Sequence, residues 1–217
     1  MGESSPPGAV QPPNATPAPL RLPLRVVQLV VSCVVLGTGV ALLLAPALGS
    51  DGYSTLINGL SRTSGLSFAT VNVCVGVILV LLAWAKGRRP ALGTIVQPVV
   101  TGYTVSFALD VIDAPGTLPA RILMVLLAFV ILAVGVAGYL GSNTGVGPSE
   151  ALSLAWDPPV PFRWSYTVFQ ATGAIIGWLL GAAIGPGTLL VVLGLGPLVD
   201  LLGRRVRIFA IAPVARG

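Results

Sequence analysis

Six stretches of mostly apolar residues, separated by short polar segments, organise the chain; they cover about 26–48, 66–85, 91–110, 121–141, 163–184 and 187–202. At about 1.5 Å of rise per residue, roughly 20 residues cross the ~30 Å hydrocarbon core of a bilayer, so each stretch predicts a spanning helix. Two connections are too long for simple turns: GSDGYSTLINGLSRTSG over 49–65 and SNTGVGPSEALSLAWDPPVPF over 142–162. Each predicts a short re-entrant or interfacial helix. Gly52 or Pro148 stands at its start, Ser50, Asp51, Ser149 and Glu150 suit its first turn, and Leu56, Ile57 and Leu60, or Leu152 and Leu154, face the bundle.

The two halves of the chain align with each other. WAKGRRPALGT, Trp84 to Thr94, lies over WLLGAAIGPGT, Trp178 to Thr188, and at the same offset Gly102 meets Gly196. A slightly different offset pairs Gly39 with Gly135, Gly49 with Gly145 and Leu56 with Leu152. Three spans per half is an odd number, so the second half enters the membrane in the opposite direction. The expected fold is an all-α integral membrane protein of six transmembrane helices arranged as a 3+3 inverted repeat. Its parts are a disordered cytoplasmic tail over 1–20, three-helix repeats over 21–120 and 121–205, and a basic cytoplasmic tail over 206–217.

Charge sets the orientation. Arg21, Arg25, Lys86, Arg88, Arg89, Arg204, Arg205 and Arg207 fall on one face, whereas the opposite loops carry Asp51, Arg62, Asp110, Asp113 and Arg121. The positive-inside rule then places both termini in the cytoplasm of a multi-pass plasma-membrane protein. The amino-terminal segment does not read as a signal peptide, because the apolar run that follows Arg25 is long enough to span. The final stretch, RRVRIFAIAPVARG, is expected to lie along anionic headgroups.

Composition narrows the function. The 217 residues are 54% hydrophobic and 9% charged, with a mean hydropathy of +0.92, so the net charge of +5 reflects topology rather than nucleic-acid binding. Membrane lipids are the expected surroundings. There is no histidine, which excludes histidine-dependent triads and imidazole metal sites, and no Walker A sequence or strand-borne G-x-G-x-x-G is present. Neither an enzyme nor a bound cofactor or metal is expected. Cys33 and Cys74 lie in separate spans and read as small buried hydrophobes.

The segments GSDGYSTLINGLSRTSGLS and GRRPALGT, with their counterparts GVGPSEALSL and GPGTLLVVLGLGPLVD, resemble the YczE/YyaS/YitT family of bacterial integral membrane proteins over about residues 22–205. That family's Gly-x-x-Pro-Trp-Asp-x-Leu pattern after the first span is met here by Gly49, Gly52, Tyr53, Ser54 and Leu56, without its Pro, Trp and Asp. Pro148 and Glu150 supply similar chemistry in the second half. The resemblance implies a bacterial plasma-membrane protein and leaves the activity open.

Inverted-repeat transporters hold substrate near the midplane, where discontinuous helices meet. The expected breaks are in the third spans, at Gly93-Thr94, Gln97-Pro98 and Gly102 against Gly187-Thr188, Gly194 and Gly196-Pro197, although tight helix packing needs the same residue types. The amides Gln28, Asn72, Gln97 and Gln170 require partners in lipid, and Glu150 is costly at depth unless it serves a site. The candidate pathway is therefore Asn72, Thr94, Gln97, Pro98, Ser149, Glu150, Gln170 and Thr188. A transporter or permease of an unknown small solute is the leading expectation; a non-transporting accessory or scaffold protein, acting on a membrane partner, is the rival. The small size is compatible with a homodimer.

Overall fold

A computed structural model describes residues 21–157 and 159–209, apart from the Arg163 side chain. The tail expected over 1–20 and the basic segment beyond Phe209 lie outside the described residues. Among these, the chain forms helices α1 Leu22–Leu44, α2 Gly52–Ser64, α3 Phe68–Ala85, α4 Leu92–Val111, α5 Leu118–Gly141, α6 Pro148–Leu154, α7 Phe162–Leu179 and α8 Pro186–Arg205, and then a short turn over Arg207–Phe209.

Helices α1, α3, α4, α5 and α8 are long and apolar enough to cross a membrane. The remaining long helix, α7, matches α3 at 18 residues, but its first half carries Arg163, Ser165, Tyr166, Thr167 and Gln170. Proline explains several boundaries. Pro23 and Pro119 sit in the first turn of α1 and α5, where a missing N–H costs nothing, and α1 stops at Leu44 because Pro46 follows. The last helix, expected to end near 202, continues to Arg205.

The centre of the molecule is the antiparallel crossing of α1 and α5. A Cβ at Gly39 would stand 2.7 Å from the Leu132 amide nitrogen, and one at Gly135 would stand 2.5 Å from that of Leu36. The two backbones touch because neither glycine carries a side chain. Helix α4 packs along α1, and α8 along α5, where Gly194 receives the Phe129 ring. Leu29, Cys33, Leu43, Val105, Ala128 and Tyr139 are buried around this crossing.

The two short helices run beside long ones. Gly52 abuts the Gln170 carbonyl at mid-length of α7, Gly59 faces Gly177, and Thr63 donates to the Leu180 carbonyl at 3.2 Å. Thus α2 begins halfway along α7 and runs parallel to it toward its carboxyl end. Pro148 lies against Gly76 at mid-length of α3, and the Lys86 ammonium sits 4.3 Å from the Trp156 ring centroid just beyond the end of α3. Helix α6 therefore begins halfway along α3 and runs toward the opposite end of the molecule.

That end also gathers much of the positive charge. The Arg25 guanidinium donates to the Ser142 carbonyl at 2.7 Å, Gln28 donates to the carbonyls of Gly138 and Ile208, and Phe209 packs on Gly141. The amino end of α1 and the carboxyl ends of α5 and α8 therefore meet. Arg204 pairs with Asp200 at 2.9 Å on an exposed surface.

Matching local geometry occurs in both halves. Ala47 and Asn143 have φ of 56° and 51°, and Gly49 and Gly145 follow with 100° and 121°, a left-handed region open to glycine. The Gly93 N–H donates to the Thr144 carbonyl and the Gly187 N–H to the Leu48 carbonyl, both at 2.9 Å. One relation differs: α3 packs against α4, with Gly102 meeting Asn72 and Ala69, whereas the equivalent Gly196 of α8 faces open space.

Three expectations are corrected. The third and sixth spans are not broken, because Pro98 and Pro197 lie inside the continuous helices α4 and α8. Pro98 removes only the N–H that would meet the Thr94 carbonyl, and the helix continues through it; Asn72 of α3 separately donates to the Pro98 carbonyl at 2.6 Å. Asp51 is not an outer-loop charge; it caps the buried start of α2 by accepting the Ser54 N–H at 2.9 Å. Cys33 is buried as expected, but Cys74 is on the exposed face of α3.

Candidate functional site

Because α2 and α6 start at mid-length of their neighbours and run in opposite directions, their amino ends face one another inside the molecule. A helix start leaves backbone N–H groups unpaired, and in an interior these need protein acceptors. For α2 the acceptors are supplied: the Tyr53 N–H donates to Gln170 Oε1 at 2.8 Å and the Ser54 N–H to Asp51. For α6, Pro148 in the first turn removes one such donor.

Glu150 is the focus. The Tyr139 hydroxyl donates to its Oε1 and the Ser149 hydroxyl to its Oε2, each at 2.8 Å. Tyr139 is fully buried. No basic side chain pairs with Glu150, and among the described residues Arg204–Asp200 is the ion pair present. Gln97 approaches from α4: a Cβ at Gly147 would stand 2.7 Å from Glu150 Oε2 and 3.3 Å from Gln97 Oε1, so both oxygens border the space that glycine leaves. Gln97 Oε1 is buried and accepts no hydrogen bond.

From the other side, Tyr53 stacks loosely on Phe169, with ring centroids 6.2 Å apart, and its buried hydroxyl also has no partner. Gln170 donates to the Tyr166 hydroxyl at 2.7 Å. The Glu150 and Asp51 carboxylates both act electrostatically on Tyr53 and Tyr166. Five helices thus contribute to one polar interior: α2 with Tyr53, α4 with Gln97, α5 with Tyr139, α6 with Ser149 and Glu150, and α7 with Tyr166 and Gln170.

Of the residues expected from sequence, Asn72 and Pro98 are bonded to each other, Ser149 and Glu150 are bonded, Gln97 faces Glu150, and Gln170 joins through the tyrosines. Thr94 and Thr188 do something else. They accept the N–H groups of Ala91 and Gly185 at 3.3 and 3.4 Å, closing the first turns of α4 and α8. Tyr139, Tyr166 and Gly147 are not singled out from sequence, and Tyr53 enters there only through the family pattern. A tyrosine inside an apolar run, whose hydroxyl must find a partner, was the available signal.

Two open grooves of about 440 and 400 Å³ mark the flanks, one between α1, α5 and the terminal turn, the other between α6 and α7. Both are mainly apolar, and Glu150 lines neither.

The helices define a multi-pass membrane protein with a polar interior. Within that class the chain belongs, over residues 23–204, to a Family of unknown function (DUF6198). It is similar to an uncharacterized protein of Haemophilus influenzae (strain ATCC 51907 / DSM 11121 / KW20 / Rd), 24% identical over 170 residues, which cover 76% of this chain and 77% of the relative. In Bacillus subtilis (strain 168) it is similar to the uncharacterized membrane protein YczE, 24% identical over 161 residues covering 72% and 75%, and to the uncharacterized protein YyaS, 24% identical over 168 residues covering 75% and 84%. No solved structure matches.

Proposed function

We propose that the protein is a six-span inverted-repeat transporter or permease that carries a small solute across the bacterial plasma membrane, with both termini cytoplasmic. The observation that carries this reading is the meeting of the amino ends of α2 and α6 around Glu150, at mid-length of α7 and α3. Helices that stop halfway leave polar backbone and side chains at depth, and an interior of this kind is tolerated where it lines a binding site. The paired left-handed residues, and the paired bonds from Gly93 to Thr144 and from Gly187 to Leu48, support the repeat. With α7 counted as a span despite its polar first half, each repeat has three spans and one half-crossing helix.

A second reading is an accessory or scaffold membrane protein, favoured by the tight glycine contacts of α1 and α5, which fill the central interface. Reconstitution separates the two. In proteoliposomes challenged with a panel of labelled small metabolites and ions, the transport reading expects uptake above empty vesicles that Glu150→Gln reduces by more than about tenfold, the loss expected when a charged site group is neutralised. Uptake that Glu150→Gln and Gln97→Ala leave intact, or none across the panel, favours the accessory role.

A further inference from the structure

The interior around Glu150 has a surplus of acceptors. Its carboxylate takes one hydroxyl donor on each oxygen, yet among the described residues its charge meets no cationic side chain. Beside it, Gln97 Oε1 is buried with a free lone pair, and the two oxygens flank the vacant Cβ position of Gly147. The other titratable groups facing this carboxylate are Tyr53 from α2, Tyr139 from α5 and Tyr166 from α7, none of which supplies positive charge at neutral pH. A half-buried carboxylate with no cationic partner among the described residues, beside a buried amide oxygen that accepts no hydrogen bond, is what a bound cation would satisfy.

We propose that Glu150 Oε2 and Gln97 Oε1 coordinate a monovalent alkali cation in the space beside Gly147. The inference rests on the reading of this cluster as the functional site and gives that site a ligand class. Charge selects a monovalent ion: one carboxylate balances one positive charge, whereas a divalent ion would leave a net charge in a half-buried site. Oxygen ligands, without nitrogen or sulfur, suit a hard cation. Gly147 matters because a Cβ there would stand 2.7 Å from Glu150 Oε2 and 3.3 Å from Gln97 Oε1, crowding both ligand oxygens.

The test uses the full chain purified in detergent at fixed pH and ionic strength, with sodium or potassium chloride replaced stepwise by choline chloride. A ligand that binds the folded state alone raises the unfolding temperature by mass action. The expected result is a saturable rise with an alkali cation, matched by binding of radioactive sodium that excess unlabelled alkali ion displaces. Glu150→Gln keeps the shape but removes the charge, and Gly147→Ala keeps the charge but fills the space; each is expected to weaken binding by more than about tenfold. Should a variant fail to fold, the displacement experiment on the native chain still decides. Equal unfolding temperatures in choline and both alkali salts, without displaceable sodium, overturn the proposal, and so does full binding in folded Glu150→Gln. The first of these would mean that the Gln97 amide turns its NH₂ toward the carboxylate or that a proton satisfies the pair. Cation binding without solute uptake would overturn the transport reading alone, and uptake indifferent to alkali cations would overturn this inference alone.

Discussion

At the residue scale the most constrained positions are the glycines where helices touch. Gly39 and Gly135 face Leu132 and Leu36 across the α1–α5 crossing, with the added Cβ in each case meeting backbone rather than a flexible side-chain tip. Relief therefore requires the helices to separate, and overpacking of this kind costs about 1–3 kcal/mol. Gly135→Ala is expected to lower the unfolding temperature in detergent, and Gly196→Ala, whose Cβ meets nothing within 4 Å, to leave it unchanged. Equal effects at both would mean that helix propensity, and not contact, decides. The repeat aligns Gly39 with Gly135 in sequence but does not tell which glycines bear on backbone, because Gly102 and Gly196 match equally while only Gly102 meets a neighbouring helix. The site was legible in the same uneven way. Glu150 stands out because a carboxylate among apolar segments is expensive, whereas nothing in the apolar stretch around Tyr139 marks its hydroxyl as the donor to that carboxylate.

At the element scale the key feature is the anchoring of α2 by a helix distant in sequence. Gln170 accepts the Tyr53 N–H and donates to the Tyr166 hydroxyl, so one amide satisfies an orphan donor of α2 and fixes a neighbour on its own helix. Replacing it by leucine leaves both groups unpaired, and a buried donor without a partner costs about 1–3 kcal/mol. Gln170→Leu is expected to destabilise the protein by that amount. Tyr166→Phe made in the Gln170→Leu background should cost less than in the native chain, since the hydroxyl has by then lost its partner; additive effects in unfolding measurements would show that the two side chains do not act together. The short helices were readable from Gly52, Pro148 and the polar residues near them. Their depth was not, because it depends on where Gly52 meets Gln170 and Pro148 meets Gly76, contacts between the two halves that no local pattern encodes. Pro98 and Pro197 misled for the opposite reason: proline marks one missing donor, and a long helix can lose one bond and still continue, as α4 and α8 do.

At the scale of the whole molecule, orientation follows from where the charges gather. Arg25 reaches Ser142, Lys86 reaches Trp156 and Phe209 packs on Gly141, so basic segments distant in sequence meet at one end. Arg88, Arg89, Arg204, Arg205 and Arg207 are exposed, free to meet solvent or anionic headgroups. If this end is cytoplasmic, a reporter fused after Gly217 fluoresces in the cytoplasm, whereas one fused at Gly116, in the connection before α5, is active only outside. Replacing Lys86, Arg88 and Arg89 together by neutral residues weakens the charge bias of the loop between α3 and α4. Its counterpart after α7, GAAIGP, has no charge to oppose it, so a fraction of molecules should invert and the Gly116 reporter should lose activity in proportion. The same triple change removes the Lys86 contact with Trp156, worth about 0.5–1 kcal/mol where exposed, and Trp156→Ala with the charges intact separates the two effects. Reporter activity indifferent to these three charges would mean that this loop does not set the orientation and would leave it to Arg21, Arg25, Arg204, Arg205 and Arg207.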